Sequence, residues 1–388
     1  VQAARFQAAA AFDMGLFSVF GEYDRVLLEE YDLWFLDGSS EEQKIREVLE
    51  TKLEKYIQPN INPRYNLAAG RSWDVFPTEL DRCTVDKYAL ATDHGGQVFY
   101  SQAVENQKEL FVGEAASALK KNIKQMEEGH QKGEEYQNEE QKADEEYQRA
   151  QAAQMEEKKR QESEKENAEK QEESDTDIKE TEAVQAKVEN PLDQIKKIKS
   201  MGILGLVLKD GTVVSDKTIE RKNLPSERNL QKGSLLVNEI SADPVSEVIF
   251  LNYLQKHFQC AVDEGGKHQK GSKEHSLSYE LEYIIGGQKS DRENLKKTVN
   301  RILLIREGMN YATLAKSAKM RGEAMALAAA ITGAAALPEF AGALQKLLML
   351  AWAYGESLLD VRTLLAKGKV PMLKAETCLL YTSPSPRD

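Results

Sequence analysis

Apolar positions along the first three dozen residues return at steps of four and three: Phe12, Leu16, Phe20, Tyr23, Leu27, Tyr31 and Trp34. Asp13, Glu22, Asp24, Glu29 and Glu30 fall between them. This spacing predicts a helix with one aromatic stripe and one acidic flank, closed by a left-handed glycine turn at Asp37-Gly38. Ser39 and Glu42 have the spacing of a capping box. They open a second helix whose inner face is Ile45, Val48, Leu49, Leu53 and Tyr56. Residues 1–57 therefore read as a helical hairpin, with Pro59 and Pro63 ending it.

From residue 58 to residue 120 the period changes. Leu80, Cys83, Val85, Tyr88 and Leu90 alternate with charged neighbours across 79–92, which predicts a strand closed by His94-Gly95-Gly96. Helical spacing returns with Phe99, Ala103, Leu110, Ala115 and Leu119. Residues 121–189 are dominated by Glu, Lys and Gln, and Tyr136, Tyr147, Met155 and Ile178 do not fall on heptad positions. That excludes a coiled-coil seam and predicts a charged insert, helical to about residue 160 and disordered beyond it. Such an insert reads equally as a spacer or as an acidic surface insertion.

Regular patterning resumes over 190–377. Asn190-Pro191 opens a helix with Leu192, Ile195 and Ile198 inward. ILGLVL, Lys209-Asp210-Gly211 and TVVS form the clearest hairpin pattern in the chain, and Asp243-Pro244 opens a further helix. Leu277, Tyr279, Leu281, Tyr283 and Ile285 alternate as in a strand. Ser290 and Glu293 make a second capping box, ahead of an amphipathic helix carrying Leu295, Val299, Ile302, Leu303, Ile305 and Met309. An Ala-rich helical hairpin follows, its second arm begun by Pro338 and closed by Gly368. The expected fold is α+β and helix-dominated. It has the N-terminal helical hairpin, a small, mainly antiparallel sheet joining segments near residues 85, 205 and 280, a protruding charged middle and a C-terminal helical layer.

A formal charge of -12 argues against a nucleic-acid partner, since phosphate contacts need a basic surface. Cys83, Cys260 and Cys378 make no disulfide framework, and two isolated thiols are expected at the first two. No apolar run reaches the roughly 20 residues of a membrane span. The nearest candidate, 324–354, is interrupted by Pro338-Glu339 and Gln345-Lys346 and reads as a buried hairpin. His94, His130, His257, His268 and His275 never fall at metal-ligand spacing. No phosphate loop, nucleophile elbow or kinase signature occurs, so no catalytic residue, cofactor or metal is assigned and a non-enzymatic role is expected. Arg306 and Glu307 lie among aliphatic residues and are expected to be structural, in an ion pair pinning their helix to Glu280 or Glu282; Asn310 accompanies them. Glu356 and Asp360 stand one helical turn apart without a companion that would make them an acid–base pair. The stripe Phe12, Leu16, Phe20, Tyr23, Leu27, Tyr31 and Trp34 is the candidate surface for packing or for a protein partner.

AARFQAAAAFDMGLFSVFGEYDRVLLEEYDLWFLDG resembles the start of the mature domain in an uncharacterised envelope-protein family of Gram-positive anaerobes, related in layout to the minor pseudopilins of tight-adherence (Tad) pili. GGQVFYSQAVE, NPLDQIKKIKSMGILGLVL, LSYELEYIIGG, NLKKTVNRILLIREGMNYATL and LAWAYGESLLDVRTLLAKGKVPMLK resemble the same family. The resemblance implies a single apolar span ahead of the first helix, hence a membrane-anchored protein with an extracellular domain, working with pilus or secretion components. Val1 is not Met and no capping residue precedes the first helix, so that helix is expected to continue upstream. The competing expectation is a soluble intracellular scaffold with an acidic helical spacer. CLLYTSPSPRD, residues 378–388, resembles translated adapter sequence and is set aside from fold reasoning.

Overall fold

The computed structural model describes residues 2–38, 44–61, 65–67, 71–73, 78–108, 114–169, 189–200, 202–209, 211–220, 222, 232–235, 244–262, 275–335 and 337–375. Among them the elements are α1 (Gln2–Phe20), α2 (Arg25–Tyr31), α3 (Ile45–Ile61), β1 (Tyr65–Leu67), β2 (Arg71–Trp73), α4 (Asp93–Lys108), α5 (Glu114–Glu169), α6 (Pro191–Ser200), α7 (Ile203–Val207), α8 (Pro244–His257), α9 (Glu280–Gly286), α10 (Asp291–Lys316), α11 (Ala318–Ala334) and α12 (Ala341–Leu365). A 3-10 turn, Pro338–Phe340, precedes α12. The chain divides into two units: residues 1–120 with 219–259 and 265–275, and residues 121–218 with 260–264 and 276–388. No helix among the described residues is long and apolar enough to cross a membrane.

In the first unit α1 and α3 form the expected antiparallel pair. Gln7 Nε2 donates to Ile61 O at one end, and Tyr56 donates to Glu22 at the other. Gly15 lies against Ile57, where a Cβ would come within 2.5 Å of the isoleucine side chain. Val19, Leu53, Ile57 and Cys83 close the seam. The aromatic stripe is not one helix, however. The chain turns at Gly21, Asp24 caps the Val26 and Leu27 amides of α2, and Asp32 ends α2 in the left-handed conformation. Asp24 is a strong N-cap in mid-pattern, and its capping bonds outweigh the continuous apolar spacing around it. At the other end, α3 runs through Pro59 to Ile61. The Ser39 capping box lies outside the described residues. Leu33, Ala103 and Tyr253 make a second cluster, and the Tyr253 hydroxyl donates to Tyr31 O at 2.7 Å.

The expected antiparallel sheet is absent among the described residues, and the fold they form is helical rather than α+β. The one strand pair among the described residues is the short antiparallel hairpin β1–β2, at none of the expected positions. Residues 79–90 form no ladder, because side chains take amides there. Glu50 Oε1 accepts from Val85 N at 2.9 Å, and Glu54 Oε1 from Cys83 N. His94, Gly95 and Gly96 do adopt positive φ, at 53°, 70° and 92°, ahead of the regular part of α4. The apolar run ILGLV is the short helix α7, with Ile203 and Val207 buried on one face, where a hairpin strand was expected. A short apolar run satisfies either period, and burial of an i, i+4 pair favours the helix.

Residues 280–286, expected as part of a strand, form α9. Asp291, fully buried in the first turn of α10, accepts from the Ser278 and Tyr279 amides and from Ser215 Oγ. These bonds consume the donors a ladder would need. Gly287, with φ 62°, ends α9. Gly286 meets Asn294 so closely that an added Cβ would sit 2.7 Å from its Oδ1.

The described part of the charged middle is not an external insert. α5 is one helix of 56 residues, and Tyr136, Ala143 and Tyr147 belong to the core of the second unit. Their spacing, seven then four, is helical without being a sustained heptad seam. The Tyr136 hydroxyl donates to Leu350 O of α12. Three glycines explain the close approach of α5 to α10: a Cβ on Gly308 would stand 2.3 Å from the Lys132 backbone. Gly129 and Gly133 lie against Ile305 and Leu304. Asn190 Nδ2 and Lys196 Nζ both reach Asp144, tying α6 to the same helix. The segment expected to be disordered begins within α5, which continues to Glu169; residues 170–188 lie outside the described residues. Around α5 pack α10, capped as expected by Ser290 accepting from the Glu293 amide, and the Ala-rich pair α11 and α12.

Candidate functional site

The seven stripe residues are distributed over three settings of the first unit. Leu16 packs on the α1–α3 core, and Leu27 and Tyr31 on the Tyr253 cluster. Tyr23 meets Trp34 edge to face, with centroids 4.8 Å apart. Gln102 brackets Trp34, accepting from its amide and donating to its carbonyl. Phe12, Phe20 and Trp34 are exposed. More exposed still are two aromatics outside the expected stripe, Phe6 (80 %) and Phe17 (82 %), with Phe20 at 64 %.

At about 100° per residue, Phe6, Phe17 and Phe20 fall within roughly 60° of one another around α1. Ala11, Gly15 and Val19, which are buried, lie on the opposite side. Thus α1 is apolar on both faces, one satisfied by α3 and the other open among the described residues. The signal was available at Phe6, Phe17 and Phe20, but the step of eleven is easily masked by the denser series beginning at Phe12.

Most of the buried charged residues of the second unit lie on α10 and α12. Arg306 points Nε and Nη2 at Asp360 Oδ2, at 2.8 and 2.6 Å, and its Nη1 at the carbonyls of Pro371 and Met372. Asn310 Nδ2 donates to Asp360 and to Ser357. Lys374 adds an ion pair to Asp360 at 2.5 Å and another to Glu356. Two cations therefore meet two carboxylates in a buried, charge-balanced cluster that ties the chain beyond α12 to α10. The partner of Arg306 is Asp360, not Glu280 or Glu282, because Asp360 faces it across the α10–α12 contact. Lys374, which completes the cluster, has no distinguishing sequence context. The cluster has its charges and hydrogen bonds mutually engaged, which suits a clasp better than proton transfer.

Glu282, also buried, accepts instead from the Ala261 amide at 2.9 Å, and burial raises its carboxyl pKa. Glu307, one residue from Arg306, points elsewhere. Lys199 Nζ stands 3.5 Å from its Oε1, a long ion pair. Burial pushes the Glu307 carboxyl up to about 7; the neighbouring Glu140 adds to the rise and Lys199 opposes it.

The folded chain therefore holds this proton between the ordinary carboxylate range and about pH 7, while the unfolded chain has lost it. Stability should fall as pH rises through that window, by about 1.4 kcal/mol per unit at most from this group. Glu307→Gln should remove that slope, leaving the variant close to the parent near pH 4.5 and more stable than it at pH 8. Urea denaturation at the two pH values measures this, and an equal shift at both would contradict it.

Cys83 is a buried thiol, and no group of three or more His, Cys, Asp or Glu residues suited to a metal ion occurs among the described residues.

A model for a family of unknown function, DUF5702, matches residues 181–379, which take in α6 to α12 and the clasp on α10. Neither the curated proteins nor the solved structures contain a match to the chain. The family match covers half of the sequence and holds most of the second unit's principal core: the chain belongs to the family of unknown function DUF5702.

Proposed function

We propose that the chain is a non-enzymatic cell-envelope protein that docks onto another envelope protein through the outer face of α1. The observation carrying this reading is the open stripe Phe6, Phe17 and Phe20, set opposite the face that α3 covers. Three exposed aromatics on one helix face are costly in water and suited to burial against a partner. The proposal adds an anchor ahead of α1 and a role in a tight-adherence-type pilus or secretion apparatus; these rest on the resemblance of the first helix. The competing reading is a soluble intracellular scaffold in which α5 serves as the acidic spacer.

The docking reading is tested in cells of the source organism by a photo-crosslinking residue at position 17, with cell fractionation. The expected result is an adduct with a pilin-like or secretion component in the membrane fraction. The adduct should be lost in Phe6→Ser/Phe20→Ser, while these exposed changes shift stability by only about 0.5 kcal/mol each. Recovery of the full-length product in the soluble fraction, with no adduct, contradicts the proposal.

A further inference from the structure

The second unit contains a cleft of about 490 Å³ whose walls are Val207, Val214, Leu295 and Leu365 and whose polar groups are Lys209, Arg362 and Tyr279. It is held open by well-bonded parts. Asp291 accepts from Ser215 Oγ and from the Tyr279 amide, and the Ser215 amide donates to the Tyr279 hydroxyl at 3.0 Å. With its oxygen already accepting, that hydroxyl keeps a proton to donate, and the proton has no acceptor among the described residues. Lys209 and Arg362 are exposed and have no carboxylate partner among the described residues. A cleft of this size with apolar walls and a few donors matches the general form of small-molecule sites. Two cations and one hydroxyl donor call for an anionic head, and the aliphatic walls call for a hydrocarbon tail.

We propose that this cleft binds a free medium-chain carboxylate. The tail lies along Val207, Leu295 and Leu365, and the carboxylate accepts from Arg362, Lys209 and the Tyr279 hydroxyl. The guanidinium supplies a forked donor suited to a carboxylate. The binding is reversible, involves no covalent step and is independent of the docking face on α1.

Calorimetry of the full chain with decanoate, below its micellar concentration, tests the proposal. One equivalent should bind, and octanoate should bind about fifteen-fold more weakly, as loss of two buried methylenes requires. Decanol, which keeps the tail but lacks the charge, and Arg362→Glu, at an exposed position, should each weaken binding at least tenfold. Val214→Trp, which fills the cleft, should abolish it; should that variant fail to fold, Arg362→Glu still decides. Equal binding of decanol and decanoate, undiminished binding by Arg362→Glu, or binding to anionic vesicles without binding to free decanoate would overturn the proposal.

Discussion

Gly308→Ala should destabilise the second unit by about 3 kcal/mol or more, the upper end of the range for overpacking a core. The reason is geometric. An added Cβ would stand 2.3 Å from the carbonyl carbon and oxygen of Lys132 and 2.4 Å from the Gly133 nitrogen. These are backbone atoms of α5, so no side chain can rotate away, and relief requires the two helices to separate. Separation would in turn loosen Tyr136 and Tyr147 from the core. Gly355→Ala is the matched control. It too lies in a helix, α12, but an added Cβ meets nothing within 4 Å there. That change should be neutral or stabilising by about 0.5–1 kcal/mol, from helix propensity alone. Chemical denaturation of both variants measures the contrast, and similar midpoints would contradict the close α5–α10 contact.

The second large effect is expected at the clasp. Arg306→Leu should cost about 3–5 kcal/mol, because it leaves Asp360 buried with one cation fewer while Glu356 still shares Lys374. Asp360→Leu should be comparably damaging, since it strands the guanidinium. The double variant removes one charge of each sign and keeps the Lys374–Glu356 pair, so it should cost clearly less than the two single changes added together. A coupling energy above about 2 kcal/mol in that cycle is the expected outcome. Additive effects would show that Arg306 is held by the Pro371 and Met372 carbonyls alone. The clasp also predicts that removing residues from Pro371 onward exposes Arg306 and Asp360 together and destabilises the same unit.

How much of this was legible in the sequence depends on whether local or distant groups decided the outcome. Ser290 with Glu293 sets the start of α10 within one turn, and the cap forms as its spacing implies. Helical spacing likewise marks the α1–α3 pair, although the face α1 buries is Ala11, Gly15 and Val19 and not the aromatic stripe. The alternation through Leu277 to Ile285 was misleading because the competing donors and acceptors lie elsewhere. Asp291 withdraws two amides from any ladder, and Asn294 binds the turn after α9 through Gln288. At Val85 and Cys83 the decisive groups are the Glu50 and Glu54 carboxylates of α3, some thirty residues away.

The packing of α5 is hidden in the sequence for a different reason. Its apolar positions are few, and its packing is set by the glycines, which a hydrophobic pattern does not register. Gly129 and Gly133 are four apart on one helix face against Ile305 and Leu304 of α10, and Gly308 of α10 meets Lys132 and Gly133. For the candidate sites, Arg306 stands out in the sequence by its aliphatic neighbours, but Asp360 and Lys374 are joined to it only by the α10–α12 contact and the chain beyond it. Phe6, Phe17 and Phe20 could have been grouped from their spacing; that they face away from α3 could not.

Amide hydrogen exchange over Gly129–Tyr147 of the full chain tests most directly whether the acidic helix is a built-in part of the second unit. These amides should exchange as slowly as those of the buried middle of α10, at the rate of global unfolding, and Gly308→Ala should speed both together. Exchange at the rate of an open chain, with α10 still protected, would contradict the account.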